Sequence, residues 1–169
     1  MTRPTKAAIA AALGLLSALG AGPASAGRVI GYESGYPPGA ILINQSAKTL
    51  YLILDSRTAI AYPVAVAKRG KEWSGSARVQ AKFIEPAWSP PDSVKRDHPE
   101  LPDVIPGGSP HNPMGYAAMS LAGGEYAIHG TNQPGSIGHF VSYGCIRMYN
   151  EDIRDLYSRV SVGDTVVVQ

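Results

Sequence analysis

Between Ala40 and Ala67 the chain reads AILINQ, TLYLILD and AIAYPVAVA, three short runs rich in β-branched and aromatic residues. Small polar clusters, Ser46-Ala47-Lys48 and Ser56-Arg57, separate them. This pattern constrains the fold more than any other feature, because such runs suit a pleated, half-buried surface and such clusters suit hairpin turns. Pro63 lies inside the third run, so that strand is expected to be an edge or to start after the proline. Ser76 to Pro86 alternates with period two and predicts a fourth strand. YAAMSLAG and EYAIHGT predict two more around a Gly123-Gly124 turn, and TVVVQ predicts the last. One helical pattern stands out: Ile153, Leu156, Tyr157 and Val160 fall on one face of EDIRDLYSRV, with Asn150 placed to cap it. The expected fold is mainly β with one short helix.

The flanking segments read differently. Residues 1–26 have the form of a secretory signal peptide: Arg3 and Lys6, an apolar stretch from Ala7 to Leu19, then Ala24-Ser25-Ala26 as a small-residue cleavage site. The apolar stretch is short for a membrane span, which needs roughly 20 residues. Cleavage is expected after Ala26, which places the product in the periplasm or cell envelope. Residues 27–39 are rich in Gly, Tyr and Pro without periodicity and read as an irregular arm; residues 40–169 then form the single folded domain. The formal charge of +2 falls to zero once the leader's two cations are removed. A neutral chain carries no electrostatic footprint for nucleic acid. Residues 87–115 form a long proline-rich stretch, and a loop of this length in a compact domain is either functional or disordered.

Cys145 is the chain's one cysteine. In an exported protein a leftover cysteine suggests a free reactive thiol or an intermolecular bridge, with an inert buried residue as the bland alternative. A thiol is mostly protonated at neutral pH and needs a base to become a nucleophile. His129, at the end of a predicted strand sixteen positions earlier, is the candidate base. A backbone carbonyl near Gly130 would fix its tautomer. Gly144 lets the backbone turn sharply and aim the N–H groups of residues 144 and 145 inward as oxyanion donors. Arg147 offers a bidentate fork to a carboxylate. His129, His139 and Cys145 also have the ligand types of a zinc site, but not the tight spacing of zinc hydrolases. His98 lies among charged residues and reads as solvated surface; His111 precedes an Asn-Pro-Met-Gly turn.

IHGTNQPGSIG followed by VSYGCIRMYNEDIRDLY resembles the signature of the L,D-transpeptidase (YkuD-type) catalytic domain. YPVAVAK resembles the family's central strand, and Trp88-Ser89-Pro90-Pro91 with Asn112-Pro113-Met114-Gly115 resembles its proline-rich loop. The resemblance spans roughly residues 40–169 and implies a β-sandwich or barrel with a short helix after the cysteine. It implies action on peptidoglycan stem tetrapeptides: Cys145 attacks the third residue, expels the terminal D-alanine and forms a thioester. An amine acceptor, such as a second stem in a 3→3 cross-link or a lipoprotein, resolves it. His129 is then the base and Gly130 the source of the orienting carbonyl. Ser142, Tyr143 and Gly144 fall in the oxyanion and substrate-binding run, and Arg147 contacts substrate or braces the loop. Carbapenem-type inhibitors are expected to react, and no metal or organic cofactor is implied.

Two departures are visible. Tyr143 stands where the family has a histidine, and Trp73-Ser74-Gly75 stands where many members have Thr-Pro-x-Gly. Two rival readings share these residues: an L,D-carboxypeptidase or other hydrolase on the same scaffold, and a catalytically impaired wall-binding domain.

Overall fold

The computed structural model describes residues 27–169, so the leader expected over residues 1–26 lies outside the described residues. Among the described residues eleven strands are present: β1 (Arg28–Gly31), β2 (Ile41–Asn44), β3 (Thr49–Ile53), β4 (Thr58–Pro63), β5 (Val66–Ala67), β6 (Gly75–Ile84), β7 (Ala117–Leu121), β8 (Ala127–His129), β9 (Phe140–Ser142), β10 (Ile146–Arg147) and β11 (Thr165–Val168). Nine form one mixed sheet in the order β1-β4-β3-β2-β11-β6-β7-β8-β10, while β5 and β9 form a parallel pair.

The long strand β6 is the hinge of the architecture. Its first part, Gly75–Arg78, pairs antiparallel with β11, and its second part, Val79–Ile84, pairs with β7. A register irregularity between Val79 and Ala81 marks the change, as expected where a bulge bends a strand. The two halves of the sheet thus fold toward each other over one core. Ile41, Ile43, Leu50 and Leu52 come from one half and Met119, Leu121, Ile128 and Ile146 from the other. Ala65 exchanges two 2.9 Å backbone hydrogen bonds with Arg147, tying the segment after β4 to β10 and closing the structure like a barrel.

The helix expected after the cysteine is α2, Asn150–Arg159; a six-residue helix, α1 (Asp92–Asp97), is added within the proline-rich segment. Ile153, Leu156 and Val160 are buried against the core, as their spacing predicts. Lys82 of β6 donates from Nζ to the carbonyls of Tyr157, at 2.6 Å, and Val160, satisfying the C-terminal end of α2. Asn150 does not cap this helix: Tyr149 occupies the cap position, and no side chain bonds there.

Two expectations for the N-terminal half are revised. The arm over 27–39 is not wholly irregular, because Arg28–Gly31 pairs antiparallel with Thr58–Ala61. Beyond it, Tyr32 stacks on Tyr51 with ring centroids 4.6 Å apart and covers the back of the sheet over Ala40, Leu42, Ile53 and Ala59. Pro63 ends β4, which is an interior strand; its missing N–H costs nothing there because β1 pairs only as far as Ala61.

Candidate active site

The sequence brings His129 and Cys145 together by strand register. Strand β10 runs parallel to β8 with Arg147 opposite His129 and Ile146 opposite Ile128. Partners in register share a face, and alternate residues along a strand return to it. His129, Cys145 and Arg147 accordingly line one cleft of about 470 Å³, while Ile128 and Ile146 point into the core. Trp88, Pro91, Val94, Pro113 and Met114 line it together with Glu125, Tyr126, Ser142, Tyr143, Lys71 and Glu72.

His129 is 4% exposed. Its Nδ1 lies 2.6 Å from the Gly130 carbonyl, which can only accept, so Nδ1 carries the proton of this bond and Nε2 is left as the basic nitrogen. Burial drives the imidazole down to about 4, Arg147 adds to this, and the carbonyls of Gly130 and Pro113 oppose it. Gly130 is required by close approach: a Cβ there would lie 2.3 Å from Asn150 Oδ1. That oxygen accepts from the backbone N–H groups of Tyr116 (3.0 Å) and Thr131 (3.1 Å), and Asn150 Nδ2 donates to the Thr131 carbonyl at 3.0 Å. Asn150 is therefore a clamp that fixes the His129-Gly130-Thr131 turn against β7.

Cys145 is a free thiol whose Sγ lies 3.9 Å from the Glu125 carbonyl. Burial pushes the thiol up, while the Ala127 backbone and the Arg147 charge pull it down. Burial thus works against charge on both groups, raising the thiol and lowering the imidazole. The turn before Cys145 is held by Ser142, whose Oγ donates to the Cys145 carbonyl (2.6 Å) and accepts from Gly144 N–H (3.2 Å). The Gly144 N–H, expected from sequence as an oxyanion donor, is thus bonded to Ser142 in this state. Gly144 has φ +127, and a Cβ would lie 2.2 Å from the Tyr126 ring, so no other residue fits.

Trp73 explains one departure from the family pattern. Its indole stacks on Tyr126 (4.8 Å, 6° between planes), and its Nε1 donates to the Gly144 carbonyl at 2.9 Å. It buttresses the cysteine turn from outside the cleft. Tyr143 explains the other: its hydroxyl donates to Asp97 Oδ2 at 2.6 Å, and Lys68 Nζ sits 3.7 Å above its ring and 3.5 Å from Asp97. Helix α1 buries none of its own residues, so this contact ties its end to the cysteine turn. The proline-rich segment is ordered: Trp88 and Ile105 exchange backbone hydrogen bonds at 2.9 and 2.8 Å, and the buried Asn112 donates to the carbonyls of Pro86, Ile105 and Pro106.

Arg147 is mostly buried, with Nε among the described atoms lacking a partner; burial lowers its guanidinium, opposed by Cys145. His139 and His111 are exposed and do not line the cleft. His98 pairs with Glu100 at the surface. Trp73, Lys68, Asp97 and the clamp role of Asn150 were not read from the sequence; the Trp73 departure was the one visible signal.

His129, the last residue of β8, and Cys145, the residue before β10, thus line one cleft of a closed, mainly β domain. The family model for the L,D-transpeptidase catalytic domain matches residues 38–168, and the chain belongs to that family. The Escherichia coli K12 protein named probable L,D-transpeptidase YbiS is 38% identical over 133 residues, covering 75% of this chain and 43% of its own length. The Bacillus subtilis putative L,D-transpeptidase YkuD is 37% identical over 131 residues, covering 78% and 66%. This chain thus spans less than half the length of YbiS. Among solved structures, an L,D-transpeptidase from Mycobacterium smegmatis superposes with a TM-score of 0.61 at 22% identity, covering 77% of this chain and 58% of that one. The catalytic domain of the Enterococcus faecium enzyme acylated by ertapenem gives 0.61 at 17% identity, covering 80% and 100%. At these identities the structures share the fold.

Proposed function

We propose that this protein is an exported L,D-transpeptidase that acts on peptidoglycan stem tetrapeptides through a Cys145 thioester. The observation that carries the reading is the β8–β10 register, which sets His129, Cys145 and Arg147 on one face of one cleft. The Cys145 sulfur attacks the carbonyl carbon of the third stem residue while its proton passes to His129 Nε2. The tetrahedral oxyanion is met by backbone N–H groups of the Tyr143–Cys145 turn, with Gly144 joining if Ser142 Oγ releases it. Collapse breaks the bond to the terminal D-alanine, whose amine takes the proton back from His129. An acceptor amine then attacks the thioester, gives its proton to His129 and releases the thiol. The Gly130 carbonyl holds the imidazole in the tautomer that leaves Nε2 basic. Arg147 supplies positive charge for a stem carboxylate or for the thiolate as it forms.

Among the described residues no helix is long and apolar enough to cross a membrane; location in the periplasm or envelope rests on the leader. One solved structure of the same fold is a complex with a faropenem-derived adduct and another a complex with imipenem, and carbapenem acylation of Cys145 is expected here. The test is mass spectrometry of the exported protein incubated with purified tetrapeptide muropeptides, beside Cys145→Ala. Cys-dependent loss of D-alanine with dimer formation is the expected result, and tripeptide monomers alone would replace the transferase with a carboxypeptidase. Activity that survives Cys145→Ala would end the assignment.

A further inference from the structure

The start of the described chain makes a contact that the cleft does not use. Gly27, just before β1, donates its backbone N–H to Asp152 Oδ1 at 3.2 Å. Asp152 lies in the first turn of α2 and is 4% exposed. A carboxylate this buried normally has a counter-charge. Burial holds this carboxyl above the usual range, Glu151 and Asp155 push the same way, and the Gly27 amide opposes them. The nearby cation, Arg159, is engaged elsewhere: its Nε bonds Asp155 Oδ1 at 2.9 Å, and Tyr62 of β4 donates its hydroxyl to Asp155 Oδ2 at 2.6 Å. The backbone enters this place only as glycine. Gly27 has φ +59, and a Cβ would lie 2.4 Å from Ile60 Cγ2 and 2.5 Å from Tyr62 Cε1.

Gly27 is also the residue that follows the Ala24-Ser25-Ala26 cleavage pattern. We propose that Asp152 is a built-in docking site for the amino terminus that leader removal creates at Gly27. A leader peptidase adds water across the Ala26–Gly27 peptide bond; Ala26 leaves as a carboxylate, and the Gly27 amine takes up a proton. The neutral N–H donor at Asp152 becomes an α-ammonium in the same place, and the buried carboxylate gains a full counter-charge. Processing then fastens the edge strand β1 to the first turn of α2, two residues from the Asn150 clamp on the His129 turn. An amine that gains a carboxylate partner titrates above its ordinary range near 8. Its contribution is present at neutral pH, is lost as pH rises through that raised value, and is lost in acid when Asp152 protonates.

The experiment reads no catalytic activity, so it stands or falls separately from the proposed reaction. The full chain with its leader is produced, exported and purified, and intact mass gives the first residue. A second form carries one extra glycine between Ala26 and Gly27, which moves the amine by about 3.5 Å and leaves every side chain in place. Both are repeated with Asp152→Asn. The exported protein is expected to begin at Gly27. The inserted glycine is expected to lower Tm by about 3–6 °C at pH 7, with the difference vanishing above about pH 10 and absent with Asp152→Asn. A different first residue, no Tm difference, or one that persists at pH 10 would overturn the proposal. So would a difference that persists in the Asp152→Asn background; if that variant does not fold, the pH arm decides alone.

Discussion

Replacing Asn150 separates two readings of one residue by magnitude. A helix cap at this position would contribute about 1 kcal/mol, and Asp would serve as well as Asn. The clamp seen here predicts otherwise. Asn150→Ala removes one acceptor shared by the Tyr116 and Thr131 N–H groups and one donor to the Thr131 carbonyl. Each donor left without a partner costs about 1–3 kcal/mol, and the low end applies because these groups are partly buried. Two donors at that end plus one ordinary hydrogen bond sum to about 3 kcal/mol. Asn150→Asp keeps both N–H bonds but sets a carboxylate oxygen against the Thr131 carbonyl, so it is expected to fall between wild type and Asn150→Ala. Urea unfolding measures the stability, and the rate of Cys145 acylation by a carbapenem measures the consequence for the His129 turn. Loss of about 1 kcal/mol for Asn150→Ala together with a neutral Asn150→Asp would refute the clamp and restore the cap.

Three further outcomes follow from the same geometry. Tyr143→Phe keeps the Lys68–ring contact and loses the bond to Asp97, so amide hydrogen exchange over Asp92–Asp97 should quicken several-fold, and unchanged exchange would show that α1 is held by something else. Trp73→Phe keeps the stack on Tyr126 and loses the Nε1 bond to the Gly144 carbonyl; about 1 kcal/mol of stability and a slower acylation of Cys145 should go together, and a stability loss with an unaltered acylation rate would remove Trp73 from the site. His129 titrates at about 4 when folded and near 6.5 when unfolded. The fold therefore favours the neutral ring, and stability present above pH 6.5 is lost as pH falls toward 4, by roughly 3 kcal/mol. His129→Asn should be less acid-sensitive across that window in urea titrations at stepped pH, and equal sensitivity would place the loss in other groups.

The parts of the fold legible in the sequence were those in which local pattern and tertiary burial agree. ILIN, TLYLI and TVVV are rich in β-branched and aromatic residues and send most of their apolar side chains into the interior, and Ile153, Leu156 and Val160 meet the core at helical spacing. Strand β1 was not legible, because its pairing is decided by β4 rather than by RVIG itself. Strand β10 is two residues long, and nothing in Ile146-Arg147 announces a parallel partner eighteen positions earlier; yet that pairing assembles the cleft. Asn150 carried a misleading local signal. Asn before an amphipathic run is usually a cap, but here the turns at Tyr116 and Thr131 come close enough to claim the side chain. Trp73 and Tyr143 were visible only as departures from a pattern, and their partners, the Gly144 carbonyl and Asp97, lie far along the chain.

The charges in the cleft act on both groups of the proposed reaction. Arg147 faces both reacting groups, and its field favours thiolate at Cys145 while disfavouring imidazolium at His129. Those effects oppose each other in an ion pair, and burial works against both charges at once, which favours the neutral form of each group. In the proposed reaction proton transfer then accompanies attack, as the charge passes to an oxyanion with donors of its own. Alkylation of Cys145 by iodoacetamide should rise with pH without a plateau in the acid range, whereas the carbapenem reaction, which brings its own carbonyl to the site, should already proceed at neutral pH. Arg147→Gln should shift the alkylation curve further to the alkaline side, because the thiolate loses the Arg147 charge. An acid plateau in the wild-type curve would mean that the pair is ionised at rest and that the cleft is wetter than its burial implies.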